Sequence, residues 1–192
     1  MSGGGLSLVA KPNYYRDVRL VSLLDHEIGT HHMRAVNQGN LSKNAISHIK
    51  KVRIGWQLAT EEGLACLGNH IHYKCNLLYI PALLYYSVCV SQECSFWDTF
   101  KSCWKYVSDF DDCWVTTLRV KRGLTDTSRP GAFCKDQATF DGCMRILENR
   151  NSIDFPSLYA GKVSLETYNL SKDVLLEASQ SSDYTCPPHI RG

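Results

Sequence analysis

The sequence predicts a mainly α protein, and three observations lead to that expectation. Apolar residues recur at helical spacing in one segment after another. Capping residues such as Ser95 and Asp109 stand just before two of those segments. Only Leu6–Ala10, near the start, has the character of a strand, and a lone strand is unstable without a partner.

The elements follow in order. A first helix is expected from Tyr14 to about Ala35, with Val18, Leu20, Val21, Leu23 and Leu24 leading its apolar pattern. The turn-forming run from Asn37 to Ser42 ends it. Ile54 to about His70 forms a second helix. Pro81 to Val90 forms a third, with proline in its first turn. Ser95 caps a fourth running to about Val107, which places Phe96, Phe100, Cys103, Trp104 and Val107 on one side. Asp109 caps a fifth that ends near Arg122, before Gly123. Gly123–Gly131 reads as a loop, Lys135 to Glu148 as a sixth helix, and a seventh follows Ser171. The stretch from Ser179 to Gly192 contains Pro187-Pro188 and reads as a tail. With no internal repeat and no linker, one unit is expected over residues 1–178, followed by the tail at 179–192.

Composition narrows the possible functions. The chain has 192 residues, 44% hydrophobic and 21% charged, with a formal net charge of +2. That is ordinary for a globular domain and gives no reason to expect a nucleic-acid partner. The apolar run from Leu77 to Val90 is broken by Pro81 and is too short to cross a bilayer, so no membrane partner is expected. Met1-Ser-Gly-Gly-Gly lacks the basic and then apolar pattern of a secretory signal. The nine cysteines contain no CxxC pair, and reduced thiols in the cytoplasm are the simpler expectation.

The chemistry concentrates in Asp25-His26-Glu27-Ile28-Gly29-Thr30-His31-His32. Zinc-peptidase helices commonly place two histidines four apart, stacked on one face. Here the separation is five, which on an ideal α-helix turns the second side chain about 140° away from the first. A single widened π-turn restores alignment, and Gly29 inside it lowers the steric cost of a distorted backbone. His32 is the alternative second ligand but is worse placed on either helix type. Catalytic zinc needs a third protein ligand and one open position. The adjacent Glu61 and Glu62 are the candidates. Glu62 shares a small, apolar face with Leu58, Ala59, Ala65 and Cys66 and is the expected ligand, with Glu61 held in reserve behind the first layer. Glu27 is the expected base. His48, His70, His72 and His189 have no partners at ligand spacing and read as structural or surface residues.

His-Glu-Ile-Gly-Thr-His at 26–31, then Arg34 and Asn37, then Thr-Glu-Glu-Gly-Leu-Ala at 60–65, together resemble the microtubule-associated tyrosine carboxypeptidases. Bacterial relatives share a Gln-Glu-Gly-Leu-Ala motif that differs from residues 61–65 in one position. The resemblance continues through residues 119–124, 131–136 and 158–165, so it covers roughly 14 to 176. It implies a helical, zincin-like (gluzincin-type) metallopeptidase core with at most a remnant of an upstream sheet. It also implies one Zn2+ on His26, His31 and Glu62, with Glu27 as base. The implied reaction is removal of the C-terminal tyrosine of α-tubulin, with microtubules as partner and the cytoskeleton as location. Family members carry a long segment before the His-Glu motif. Only 25 residues precede it here, so an N-terminally incomplete or short form is expected. Cys134 stands where the family more often has threonine.

A carboxypeptidase needs a cation for the substrate's terminal carboxylate, and arginine grips a carboxylate with two hydrogen bonds. Arg119, Arg122 and Lys135 are the candidates, with Lys121 among them. Two other outcomes remain: a catalytically impaired binding or regulatory homologue, and a zinc peptidase of different cut, such as an aminopeptidase.

Overall fold

Helix formation begins by Asp17 and continues without a break to Asn40, past the end expected near Ala35. The computed structural model describes residues 17–73 and 78–190, and the strand expected at Leu6–Ala10 lies outside them. Within the long first helix, α1 spans Asp17–Leu24, a π-helical stretch spans Asp25–His32, and α2 spans Met33–Asn40. The turn chemistry at 37–42 does not open a long loop. Instead Ser42 accepts a hydrogen bond from the Ala45 amide at 3.1 Å and starts α3, Lys43–Lys51, which the sequence reading missed.

The expected helices follow, with shifted ends. They are α4 (Gln57–Tyr73), α5 (Tyr79–Glu93), α6 (Phe96–Trp104) and α7 (Phe110–Lys121). Ser95 caps α6 through the Asp98 amide at 3.2 Å, and Asp109 caps α7 through the Asp112 amide at 2.9 Å. A 3-10 turn at Cys134–Asp136 leads into α8, Gln137–Asn149. Two short helices then appear that the sequence did not suggest, α9 (Phe155–Tyr159) capped by Asp154 and α10 (Leu165–Leu170) capped by Ser164. The last α-helix is α11, Lys172–Ser179. The described residues contain no strand, in agreement with a mainly α fold.

Helices α4 and α8 cross glycine on glycine. A Cβ on Gly142 would meet the Ala59 carbonyl, and one on Gly63 would meet the backbone of Gly142 and Cys143. This close approach fixes the α4 segment that carries Glu61 and Glu62. The main core fills around it from Ala45 and Ile49 of α3, Leu64 of α4, Ile146 of α8, and Leu158, Tyr159, Tyr168 and Leu175 of the last helices. A second apolar group joins α5, α6 and α7 through Leu83, Phe100, Cys103 and Cys113. Trp97, Trp104, Phe110 and Trp114 surround Phe100 at ring-centroid distances of 5.2 to 6.1 Å.

The stretch read as a tail packs against the body. Cys186 and Pro187 are buried. Asn37 of α2 clamps Thr185, donating to its carbonyl at 2.6 Å and accepting from its amide at 3.1 Å. The Tyr184 hydroxyl donates to the Pro156 carbonyl at 2.7 Å. Among the described residues no helix is long and apolar enough to cross a membrane.

Candidate metal centre

The five-residue spacing of His26 and His31 demands a widened turn, and the backbone supplies one over the whole of Asp25–His32. The two rings meet edge to face, and their Nε2 atoms lie 3.3 Å apart. Gly29 lies buried within this stretch. Its backbone is not left-handed, and a Cβ there would meet only Pro187 and Asp25 at ordinary van der Waals distance. The π-helix is held from outside. Buried Thr30 pairs with the Tyr159 hydroxyl at 3.2 Å, and α4 packs along the stretch.

Glu62 completes a triangle. One of its oxygens lies 3.8 Å from Nε2 of His26 and the other 4.0 Å from Nε2 of His31. Among the described residues these three form the one His, Cys, Asp and Glu group whose ligand atoms converge, all within 4.8 Å. Tetrahedral bonds of about 2.0–2.1 Å would set ligand atoms about 3.3–3.4 Å apart, so the triangle needs only a slight contraction to fit a metal ion. His32 is exposed and stands outside the cluster.

The hydrogen bonds behind the triangle decide which ring nitrogens face it. Nδ1 of His31 lies 3.2 Å from a Glu61 oxygen, so it carries the proton and donates, leaving Nε2 as a lone pair. Nδ1 of His26 lies 3.4 Å from the Asn69 amide. With that amide turned so its nitrogen donates to the Ser22 and Ala65 carbonyls, at 2.7 and 3.3 Å, its oxygen accepts from His26. Both Nε2 atoms are then acceptors facing one point, an arrangement that a cation between them would satisfy. Burial and the neighbouring His31 lower the pKa of His26, which favours the neutral, ligating form.

Glu61 is the anchor of this second layer. Besides His31 it pairs with Arg34, which is fully buried, and with Lys162 at 3.3 Å. Burial alone would raise its pKa, but Arg34, the His31 hydrogen bond and Lys162 outweigh that and hold it below the usual range. Arg34 also donates to the carbonyls of Leu158, Gly161 and Val163 at 3.2, 2.7 and 3.1 Å. Glu61 therefore has the supporting place and Glu62 the facing one.

Glu27 is half-buried beside His26, close enough for its charge to favour the protonated ring. Arg119 and Arg122 converge on buried Asp136. Arg119 reaches it with two bonds of 3.0 Å, and Arg122 with bonds of 2.6 and 3.1 Å while lying over the Phe133 ring. Glu62 adds to the factors that raise the Arg119 guanidinium, after the Asp136 hydrogen bonds. Lys135 is exposed. Lys121 has a different role from the one its sequence neighbours suggested. It is buried, and its ammonium donates to the carbonyls of Ser91, Cys94 and Arg129, which folds the 122–133 loop back onto α5.

Sequence reasoning missed Asn69 and Lys162. Asn69 follows Glu62 by two helical turns and was findable as the next residue on that face. Lys162 comes from a distant segment and has no local signal.

The comparisons with known proteins fit this geometry. The family model described as microtubule-associated tyrosine carboxypeptidase matches residues 3–190. A Mus musculus relative named "Putative tyrosine carboxypeptidase MATCAP2" is 39% identical over 177 residues, covering 92% of this chain and 34% of that protein. The Homo sapiens microtubule-associated tyrosine carboxypeptidase 1 is 44% identical over 154 residues, covering 79% of this chain and 32% of that protein. The chain thus spans about a third of the length of the curated relatives it matches.

Proposed function

The chain belongs to the microtubule-associated tyrosine carboxypeptidase family, and on that premise we propose that it carries the catalytic centre of a zinc carboxypeptidase that removes the C-terminal tyrosine of α-tubulin. The observation that carries this reading is the convergence of His26, His31 and Glu62 beside Glu27. The donor set, two imidazoles and one carboxylate with an open side, suits a single catalytic Zn2+. Such an ion, when bound, lowers the pKa of water and polarises a peptide carbonyl. The protein's own residues do the rest.

Glu27 accepts a proton from the attacking water as its oxygen bonds to the scissile carbonyl carbon. The carbon–nitrogen bond then breaks, and Glu27 returns the proton to the departing amine nitrogen of tyrosine. Glu61 and Asn69 hold the imidazoles in the ligating tautomer throughout. Arg119 and Arg122 share a single carboxylate, Asp136, so the cluster keeps a net positive charge able to receive the substrate's terminal carboxylate. Lys135, exposed at the same turn, adds to that field. The substrate places the protein at microtubules in the cytoplasm.

The test is tyrosine release from a Glu-rich, tyrosine-ended peptide, set against the same peptide amidated at its C-terminus. Release from the acid and rejection of the amide is the expected result. Equal cleavage of both would exclude carboxypeptidase specificity, and removal of residues from the other end would make the protein an aminopeptidase.

A further inference from the structure

Helices α6 and α7 pack side by side and are joined by the short turn at 105–109, so they run antiparallel. Their inner side is the buried apolar group around Phe100, Cys103 and Cys113. Their outer side is apolar as well. On α6, Trp97 and Trp104 stand two turns apart, and on α7, Phe110, Trp114 and Leu118 follow at four-residue steps. All five are 38 to 53% exposed. The two stripes form one surface, because the Phe110 ring lies 6.0 Å from Trp104 and 6.1 Å from Trp114. A helix pair with a second apolar face at this spacing has the pattern of half a four-helix bundle. The five side chains leave roughly 400 Å² of apolar surface in water, against about 800 Å² per partner in a standard interface. They are thus enough for the dry centre of an interface whose rim is the polar flanks of the same helices.

The charges on those flanks select the occupant. Lys101 and Lys105 stand at the end of α6, and Asp111 and Asp112 in the first turn of α7, all four exposed. The turn at 105–109 puts these opposite charges at the same end of the hairpin. Lys101 pairs with exposed Asp98 at 3.3 Å, a contact worth little in water. Among the described residues Lys105, Asp111 and Asp112 form no ion pair, so their charges stand ready for a partner. A two-fold axis running along the hairpin lays α6 of one copy on α7 of the other, antiparallel and with like ends together. Each copy's lysines then meet the other's aspartates, and symmetry makes the contact twice. An axis across the helices would bring α6 onto α6 and part the opposite charges. An anionic lipid surface fits less well, because residues 95–118 carry four aspartates against two lysines.

We propose that the outer face of α6 and α7 docks a second copy of this chain in a two-fold, four-helix interface. Trp104 and Phe110 lie at its centre, and Lys101 and Lys105 face the partner's Asp111 and Asp112. The aromatic centre supplies the affinity, and the charge pattern fixes which way round the copies meet. The inference does not depend on the reaction proposed above, because no residue of the metal centre takes part.

The test is sedimentation equilibrium of the full chain, which is expected to give the mass of a dimer with a Kd of about 10 μM or tighter. Trp104→Glu/Phe110→Glu, at two exposed positions, is expected to weaken association about 100-fold or more with helix content by circular dichroism unchanged. Charge swaps leave the apolar face intact and test the geometry even if that variant unfolds. Lys101→Glu/Lys105→Glu and Asp111→Lys/Asp112→Lys are each expected to weaken self-association about tenfold. Mixed together, these two variants are expected to form a one-to-one pair about as tight as the wild-type dimer, because every contact again joins opposite charges. A wild type that stays monomeric at about 100 μM would overturn the proposal. So would association that survives in a folded Trp104→Glu/Phe110→Glu protein, or mixed charge variants that pair no better than either alone. Sedimentation of monomeric wild type with phosphatidylcholine–phosphatidylserine vesicles, lost in Trp104→Glu/Phe110→Glu, would make the face a lipid contact instead.

Discussion

Glu27, Glu61 and Glu62 are three carboxylates within one small region, and the proposed centre gives them three tasks. Glu27→Gln keeps the size of the side chain but cannot accept a proton. Tyrosine release should fall by roughly two or more orders of magnitude with zinc content unchanged, as measured by metal analysis beside the assay. Glu62→Ala removes a bond to the ion and should abolish stoichiometric zinc. Glu61→Gln should weaken zinc affinity by about 10–100-fold, because it loosens the His31 tautomer without removing a ligand. Zinc retained in Glu62→Ala and lost in Glu61→Ala would reverse the assignment. The convergence of His26, His31 and Glu62 was legible in the sequence because metal chemistry fixes residue types and helix geometry fixes spacing. That Glu62, not Glu61, faces the two Nε2 atoms was legible from the small apolar face it shares. What could not be read is the depth of support behind them. Buried Arg34 earns its place through carbonyls more than a hundred positions away, and Lys121 looks in sequence like its exposed basic neighbours.

At the scale of elements, the π-helix and the α4–α8 crossing set the geometry, and their glycines differ in kind. A Cβ on Gly29 meets ordinary contacts only, so Gly29→Ala should be tolerated within about 1 kcal/mol in urea unfolding and should keep zinc, since alanine is the better helix former. Gly142→Ala places a methyl against the Ala59 carbonyl and must push α8 off α4. It should cost about 1–3 kcal/mol or more and weaken zinc binding, because α4, which carries Glu62, loses the close packing that fixes it. A Gly142→Ala protein with wild-type stability and zinc affinity would show that the crossing does not position the ligand. The widened turn was deducible because five-residue spacing cannot serve one ion on a regular helix. The support that Thr30, Tyr159 and α4 give this turn comes from distant segments and had no local signal. Helices α3, α9 and α10 escaped the sequence reading because each is short, and what holds them is burial of residues such as Ile49, Leu158 and Tyr168 together with caps at Ser42, Asp154 and Ser164.

At the scale of the whole molecule, the stretch that reads as a tail packs against the helix that carries His26 and His31. Polar composition and two prolines suggested detachment, and only the tertiary partners show otherwise. Asn37, one turn beyond Arg34 on the same buried side of α2, is held there by bonds to the Tyr159 and Thr185 carbonyls. Pro187 comes against Gly29 in the middle of the π-helix, and Tyr184 ties the same segment to the start of α9. Ending the chain at Asp183 would therefore remove the buried Cys186 and Pro187, leave both polar groups of Asn37 short of partners, and bare one side of the turn that aims the histidines. The expected cost is about 2–4 kcal/mol, from lost hydrogen bonds of about 1 kcal/mol each and the apolar surface returned to water. Because that stability is spent at the π-helix, zinc affinity should fall together with the unfolding midpoint, although no ligand is touched. Asn37→Ala should reproduce part of both effects. A chain ending at Asp183 that unfolds at the wild-type midpoint and binds zinc as tightly would make residues 184–190 a passenger on the fold.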